Sequence, residues 1–304
     1  MLRITLGTAQ LGSFYGVANM HGQPSLQTAY EILEAACQEG ITSFDTAPAY
    51  GSSEEILGSF FGSRRQFSPV FITKLDSVFR QAQDNLHAKE VKERLKKSLL
   101  ASAARLQIER IPVCLMHDPG YMIAAEGTIT EALCELKQDG LVEAIGVSVY
   151  SPEEVRTFLE LDVFDAIQVP FNLFDQRLDR EGLLQDLSQK CSAVFARSIF
   201  LQGLFFLNPD ALPNSVICAA PYLKSLILLA TDLGLTIAEL AVSYVRDVQE
   251  ITSFVIGVET PDQLRQNVKM WSCRNLSPEE RRQVNEVFKY IPEQVFNPTY
   301  WKEQ

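Results

Sequence analysis

Apolar and polar positions along the chain alternate between two periods. Short apolar runs with few charges are separated by longer stretches in which apolar residues recur every three or four positions. The runs predict strands at Leu2–Leu6, Ile41–Phe44, Val70–Thr73, Ile111–Met116, Ala144–Val147, Ala166–Val169, Ser192–Ala196 and Ser253–Ile256. The longer stretches predict helices at Leu26–Gln38, from Ser52 onward, at Lys89–Leu106, Thr128–Gln138, from Ser151 onward, Arg180–Lys190, Tyr222–Leu233, Ile237–Val248 and from Thr260 onward. The helix starts carry their own signals. Ser151-Pro152-Glu153-Glu154 is a cap followed by proline at the first helical position, and Ser52 and Ser53 precede two carboxylates. Gly40 and Gly140 stand where helices should stop. Strand and crossover helix repeat through eight units, which predicts an α/β fold with a parallel sheet. Eight units suit a closed (β/α)8 TIM barrel better than an open doubly wound sheet. Residues 1–304 are expected to form one barrel domain, with 277–304 as a C-terminal helix, about Pro278 to Tyr290, and a tail.

Composition narrows the function classes. The formal net charge is −11 and no basic cluster is present, so neither nucleic acid nor an anionic membrane surface is an expected partner. The apolar run around Leu226–Ala230 is far shorter than the ~20 residues that span a bilayer, and MLRITLGTAQ lacks the plan of a signal peptide. Six scattered cysteines without a C-x-x-C pair suit reduced thiols and a cytoplasmic location. A monomer is compatible with the pattern. Three scattered histidines offer no cluster of metal ligands, so no metal is expected.

The strand ends carry the candidate chemistry. Strand two leads into Asp45 with Tyr50 in the following turn, strand three into Lys74, strand four into His117 and strand five into Ser148. Strand six contains Gln168, and strand seven runs into Arg197. In a barrel these ends share the rim on which active sites are built. Taken singly, Asp45 suits a turn, Lys74 a surface site, and His117, like His21 and His87, a hydrogen-bonded histidine. Their joint occurrence on consecutive strand ends favours a site. Asp45 should neutralise Lys74, and the ammonium should lower the pKa of the Tyr50 phenol from its usual value near 10. Such a phenol can protonate an oxygen that gains negative charge. The matching hydride must come from a nicotinamide cofactor, because no side chain supplies one.

The chain resembles the aldo-keto reductases, a family of (β/α)8 barrels that reduce carbonyl compounds with NAD(P)H. The resemblance lies in LGTAQLG (Leu6–Gly12), FDTAPAYGSSEEILG (Phe44–Gly58), ITKLD (Ile72–Asp76), LMHDP (Leu115–Pro119), IGVSVYSPEEV (Ile145–Val155), IQVPFNLFDQR (Ile167–Arg177) and IGVETPDQLRQNV (Ile256–Val268). It implies Tyr50 as general acid with Asp45, Lys74 and His117 in support. It implies that Ser148 and Gln168 hold the nicotinamide amide and that Gly7 and Thr8 let the backbone approach the cofactor. The segment from Ile256 to Asn267, with Gly257, Gln263 and Asn267, would take the adenosine end. Three positions depart from the family pattern. Val149 follows Ser148 where an asparagine is common. Arg197 in ARSIFLQG replaces a tyrosine that stacks on the nicotinamide, so it either stacks there itself or binds an anionic group of a polar carbonyl substrate. Glu259 stands near a usual basic contact to the 2′-phosphate, with Arg265 as a compensating cation. The resemblance favours NADPH, while Glu259 leaves NADH open. Two other functions fit the same residues: a Schiff-base, aldolase-type barrel enzyme using Lys74, and a cofactor-sensing barrel with little turnover. The aromatic stretch Phe296–Trp301 either lines a substrate cleft or docks on the barrel.

Overall fold

The computed structural model describes residues 3–64, 66–75 and 88–301. Leu2, Asp76 and His87 lie outside the described residues. Eight parallel strands close into a barrel in sequence order: β1 (Ile4–Gly7), β2 (Ser43–Asp45), β3 (Val70–Lys74), β4 (Ile111–Met116), β5 (Val142–Ser148), β6 (Ala166–Pro170), β7 (Ala193–Arg197) and β8 (Ser253–Gly257). The last strand pairs with the first, Gly7 opposite Gly257, while Gly7 also stands opposite Asp45. The predicted (β/α)8 architecture is the observed one.

The helices in chain order are α1 (Ala9–Gly12), α2 (Leu26–Gln38), α3 (Ser53–Gly62), α4 (Ala88–Leu106), α5 (Thr128–Gln138), α6 (Pro152–Glu160), α7 (Arg177–Arg180), α8 (Leu183–Lys190), α9 (Ala220–Asp232), α10 (Ile237–Arg246), α11 (Pro261–Met270), α12 (Pro278–Val287) and α13 (Glu293–Phe296). The helix expected over Arg180–Lys190 is two pieces, because Gly182 adopts φ 73° and breaks the run. Ser151 caps α6 as its sequence predicts, accepting from Glu154 N while the Glu154 carboxylate accepts from Ser151 N. The two serines at the start of α3 do not act as caps. Ser52 makes no capping bond, and the buried Ser53 hydroxyl is shared with Thr8 Oγ1 and Thr46 Oγ1.

The expectation that no segment approaches membrane-spanning length is corrected at Asn214–Asp232. A 3-10 turn there runs directly into α9, giving 19 residues apolar enough to cross a membrane by length and composition. Leu223, Leu226, Leu229 and Ala230 are buried inside the protein, and a helix packed on a barrel meets the same test.

Two apolar layers surround the strands. The larger core lies between strands and helices and includes Leu6, Phe44, Phe71, Met116 and Val147. A smaller cluster of Ile72, Val113, Leu115, Ala166 and Phe195 fills the barrel interior. Beside it, the Thr5 hydroxyl bonds those of Ser43 and Ser253 at 2.8 Å each. Side chains alternate along a strand with period two, so the next inward position above each of these interior residues lies at the C-terminal rim. Those positions are Gly7, Asp45, Lys74, His117, Ser148, Gln168, Arg197 and Gly257. Strand periodicity therefore brings polar residues from along the chain to one mouth.

Candidate active site

At the centre of that mouth, Lys74 Nζ donates to Asp45 Oδ1 at 2.7 Å, to Oδ2 at 2.6 Å and to the Thr46 carbonyl at 3.0 Å. Both side chains are almost wholly buried. Gln168 Nε2 donates to Asp45 Oδ2 at 2.9 Å, and Ser148 Oγ lies 3.4 Å from Gln168 Oε1. The Asp45 carboxylate thus has two partners, the expected Lys74 from β3 and Gln168 from β6. Its link to Gln168 has no sequence signal, since the two residues are 123 positions apart.

Tyr50 sits over this group, its ring centroid 4.8 Å from Lys74 Nζ and 6.1 Å from the ring of His117, which meets it edge-on at 89°. The turn that carries Tyr50 is held by backbone contact. Gly12 and Gly51 lie so close that a Cβ on Gly12 would stand 1.8 Å from the Tyr50 carbonyl oxygen and one on Gly51, at φ 58°, 2.1 Å from the Gly12 oxygen. Only glycine permits that approach. This explains why LGTAQLG and FDTAPAYG each end on one.

The electrostatics of Tyr50 differ from the expectation. Its pKa is raised well above the usual value, first by burial and then by the Asp45 charge, with Arg197 acting in the opposite direction. The phenolate is costly where its oxygen is desolvated, and the Lys74 ammonium is already bonded to Asp45. The neighbouring Tyr15 is 36% exposed as a residue, yet desolvation of its phenol in the cleft is the first cause that pushes it up to about 12.

A second ion pair, buried at its carboxylate and half-buried at its guanidinium, lies behind the mouth. Glu54 accepts from Thr73 Oγ1 at 2.6 Å and from Arg105 Nε at 2.7 Å, tying α3 and α4 to the strand residue before Lys74. It stands in the first turn of α3 and is fully buried.

From the rim a cleft of about 980 Å³ extends over β1 and β8 to α10 and α11. Gly7, Thr8, Asp45, Tyr50, Gln168 and Arg197 line its inner end, and Gly257, Glu259, Gln263 and Asn267 its outer arm. Ser148, Lys74 and His117 lie outside the lining. Thr8 uses its hydroxyl internally, donating to the Asp45 carbonyl at 2.8 Å. Gln10, Tyr15 and Tyr150 were not legible as rim residues: Gln10 covers Gly257, Tyr15 lines the cleft, and Tyr150 underlies Arg197. Gln263 Oε1 accepts from Glu259 N at 2.7 Å. Arg265 does not compensate for Glu259. It pairs with Asp262 at 3.2 Å beside α2, outside the cleft. The remaining basic residue of the outer arm is Lys269.

The aromatic tail is docked rather than turned into the cleft. Trp301 Nε1 donates to the Gln294 carbonyl, and Phe296 lies under the Arg177 guanidinium at 4.7 Å. Among the described residues, no three or more histidine, cysteine, aspartate or glutamate side chains come together in a way that could hold a metal ion. All six cysteines are free.

A closed eight-stranded barrel with its polar cluster at the C-terminal mouth defines a class, and comparison with known proteins gives the family. Residues 3–289 match the Aldo/keto reductase family, and the chain belongs to it as an oxidoreductase. It is similar to the aldo-keto reductase YhdN of Bacillus subtilis, at 29% identity over 94% of this chain and 90% of that protein. It is also similar to the NADH-specific methylglyoxal reductase of Escherichia coli, at 25% identity over 94% of each. Among solved structures, the glycerol dehydrogenase AKR11B4 of Gluconobacter oxydans superposes with a TM-score of 0.71 at 25% identity, covering 97% of this chain and 93% of its own. The holo form of AKR11C1 from Bacillus halodurans superposes with a TM-score of 0.73 at 23% identity, covering 97% and 95%, a likeness of fold.

Proposed function

We propose that this protein reduces an aldehyde or ketone to an alcohol with a nicotinamide dinucleotide, and that Tyr50 donates the proton. The observation that carries this reading is the buried Asp45–Lys74 pair directly beside the Tyr50 ring at the head of a long cleft. The cleft fits a dinucleotide. Its volume is at the upper end of the ~300–1,000 Å³ usual for ligand sites, and Gly7 and Gly257 line it without side chains of their own. A bound dinucleotide supplies the hydride.

The chain's own residues manage the proton. The raised pKa keeps the Tyr50 phenol protonated at neutral pH, so the donor is loaded. As the carbonyl oxygen gains charge, the phenol proton passes to it, and the Lys74 ammonium near the ring stabilises the phenolate left behind. Asp45 holds that ammonium in place. His117, edge-on to Tyr50, orients the carbonyl oxygen. Gln168, which lines the cleft, would hold the carboxamide of the cofactor, with Ser148 behind it against Gln168 Oε1. Proton donation of this kind contributes roughly 10²–10⁴ in rate.

Family resemblance favours NADPH, but among the described residues lining the outer arm of the cleft Glu239 and Glu259 stand against one Lys or Arg, Lys269. A carboxylate there repels a 2′-phosphate and accepts from a ribose hydroxyl. We therefore read the cleft as taking NADH at least as well as NADPH. That a relative is named an NADH-specific methylglyoxal reductase supports such use within the family. The Schiff-base alternative is disfavoured, because the Asp45 carboxylate held against Lys74 Nζ favours the ammonium, which is not a nucleophile.

Titration of the purified protein with NADH and NADPH, read by protein fluorescence, together with turnover of small aldehydes, tests this reading. Tyr50→Phe should keep dinucleotide affinity and lose turnover by about 10²–10⁴. Unchanged turnover in that variant would refute Tyr50 as the donor. Dinucleotide binding without turnover in the parent protein would favour a cofactor sensor.

A further inference from the structure

Among the described residues, Arg197 is a rim cation that no carboxylate neutralises. The other rim cation, Lys74, is bonded to Asp45. Arg197 is half-buried at the end of β7 and, among the described residues, has no carboxylate within ion-pair distance. Its Nη2 donates to the Val149 carbonyl at 2.9 Å and its Nη1 lies 3.3 Å from Ser198 Oγ. Its guanidinium covers the Tyr150 ring at 4.4 Å. These contacts use part of a group with five N–H donors, and none of them removes its charge.

Direction separates the two roles open to this residue. The bond to Val149 draws the guanidinium toward the end of β5, away from the cleft arm built by β8, α10 and α11. Its charge acts on the Tyr15 and Tyr50 phenols, lowering the pKa of each against the effect of burial. Arg197 therefore sits on the Tyr50 side of the mouth, where a carbonyl compound must bind. Stacking on the nicotinamide is the poorer use of it. That ring is cationic once oxidised, and a guanidinium against its face would oppose hydride loss.

We propose that Arg197 anchors an anionic group of the substrate, so that the substrate class is a small carbonyl compound carrying a carboxylate or a phosphate. The inference rests on the reductase reading above and narrows it. A guanidinium suits either anion through paired N–H donors, and a charge-assisted bond of this type corresponds to a preference of about 10- to 150-fold.

Two matched pairs of probes test it: succinic semialdehyde against butanal for a carboxylate, and glycolaldehyde phosphate against glycolaldehyde for a phosphate. The parent protein should favour the charged member of at least one pair in kcat/KM by about tenfold or more, and the responding pair identifies the anion. In Arg197→Gln that ratio should collapse toward one, while Arg197→Lys retains part of it. Equal use of charged and neutral members by the parent protein overturns the anchor and leaves the reductase reading standing. A ratio unchanged in Arg197→Gln, with dinucleotide affinity reduced tenfold or more, also overturns it and assigns Arg197 to the cofactor. Binding of succinate and of inorganic phosphate to the dinucleotide complex, measured by calorimetry, supplies a readout without turnover. Anion binding lost in Arg197→Gln supports the anchor even if no probe is reduced, an outcome that would count against the reductase reading alone.

Discussion

Asparagine in place of Asp45 removes the negative charge from a site in which Lys74 is 2% exposed. The ammonium keeps the Thr46 carbonyl and gains nothing from solvent. Losing one member of a buried pair costs about 3–5 kcal/mol, because the other charge is left uncompensated. Unfolding entropy near ~2.1 cal/mol/K per residue gives about 0.6 kcal/mol per kelvin over this chain, so the melting temperature should fall by roughly 5–8 °C. Replacing both residues, Asp45→Asn with Lys74→Met, leaves no unpaired charge, and exchange of a buried pair for uncharged groups is often close to neutral. The double variant should therefore be more stable than Asp45→Asn alone. Scanning calorimetry and urea unfolding of the parent, both single variants and the double variant complete the cycle. An Asp45→Asn melting temperature within about 1 °C of the parent would refute the reasoning, since the ~3–5 kcal/mol cost could not then be present. So would a double variant whose loss equals the sum of the singles.

Other consequences follow from neighbouring contacts. Gly12→Ala places a Cβ 1.8 Å from the Tyr50 carbonyl oxygen and 2.5 Å from Ser53 N, both backbone atoms. It should destabilise the protein by more than about 1 kcal/mol and displace the Tyr50 turn, seen as lower turnover together with a lower urea midpoint. Stability should also fall at alkaline pH. Below pH about 10 the Tyr15 and Tyr50 phenols are protonated folded and unfolded, and native stability is complete. Above that the unfolded chain ionises first, so stability declines as pH rises, through about 12 for Tyr15 and beyond for Tyr50. Urea midpoints between about pH 9 and 11.5 should trace this slope, and Tyr15→Phe should make it shallower.

The fold was legible because a strand with two buried faces and an amphipathic helix write different periods into the chain. Strand β4 and helices α2 and α5 were read with the bounds they have. Boundaries failed where one residue decides them. Gly182 splits the run before Lys190, and the membrane-length stretch escaped notice because a 3-10 turn joins α9 without a break. Ser53 was misread as a cap, and the burial of Glu54 beside it carried no sequence signal, for a common reason. A helix start normally faces solvent, whereas this one is pressed onto the barrel mouth, so the serine bonds Thr8 and Thr46 and the carboxylate bonds Thr73 and Arg105.

By itself the sequence determined which residues share the barrel mouth. Strand order and period two are local properties, and together they bring Asp45, Lys74, His117 and Gln168 to one rim whatever the details of packing. Tertiary structure alone decided how those residues are spent. Whether the Lys74 charge reaches Tyr50 or is taken up by Asp45, and whether Arg197 turns toward Val149 or Arg265 away from Glu259, depends on distances of a few ångströms between groups far apart in the chain. Coulomb and desolvation energies change steeply over such distances, and no local pattern encodes them.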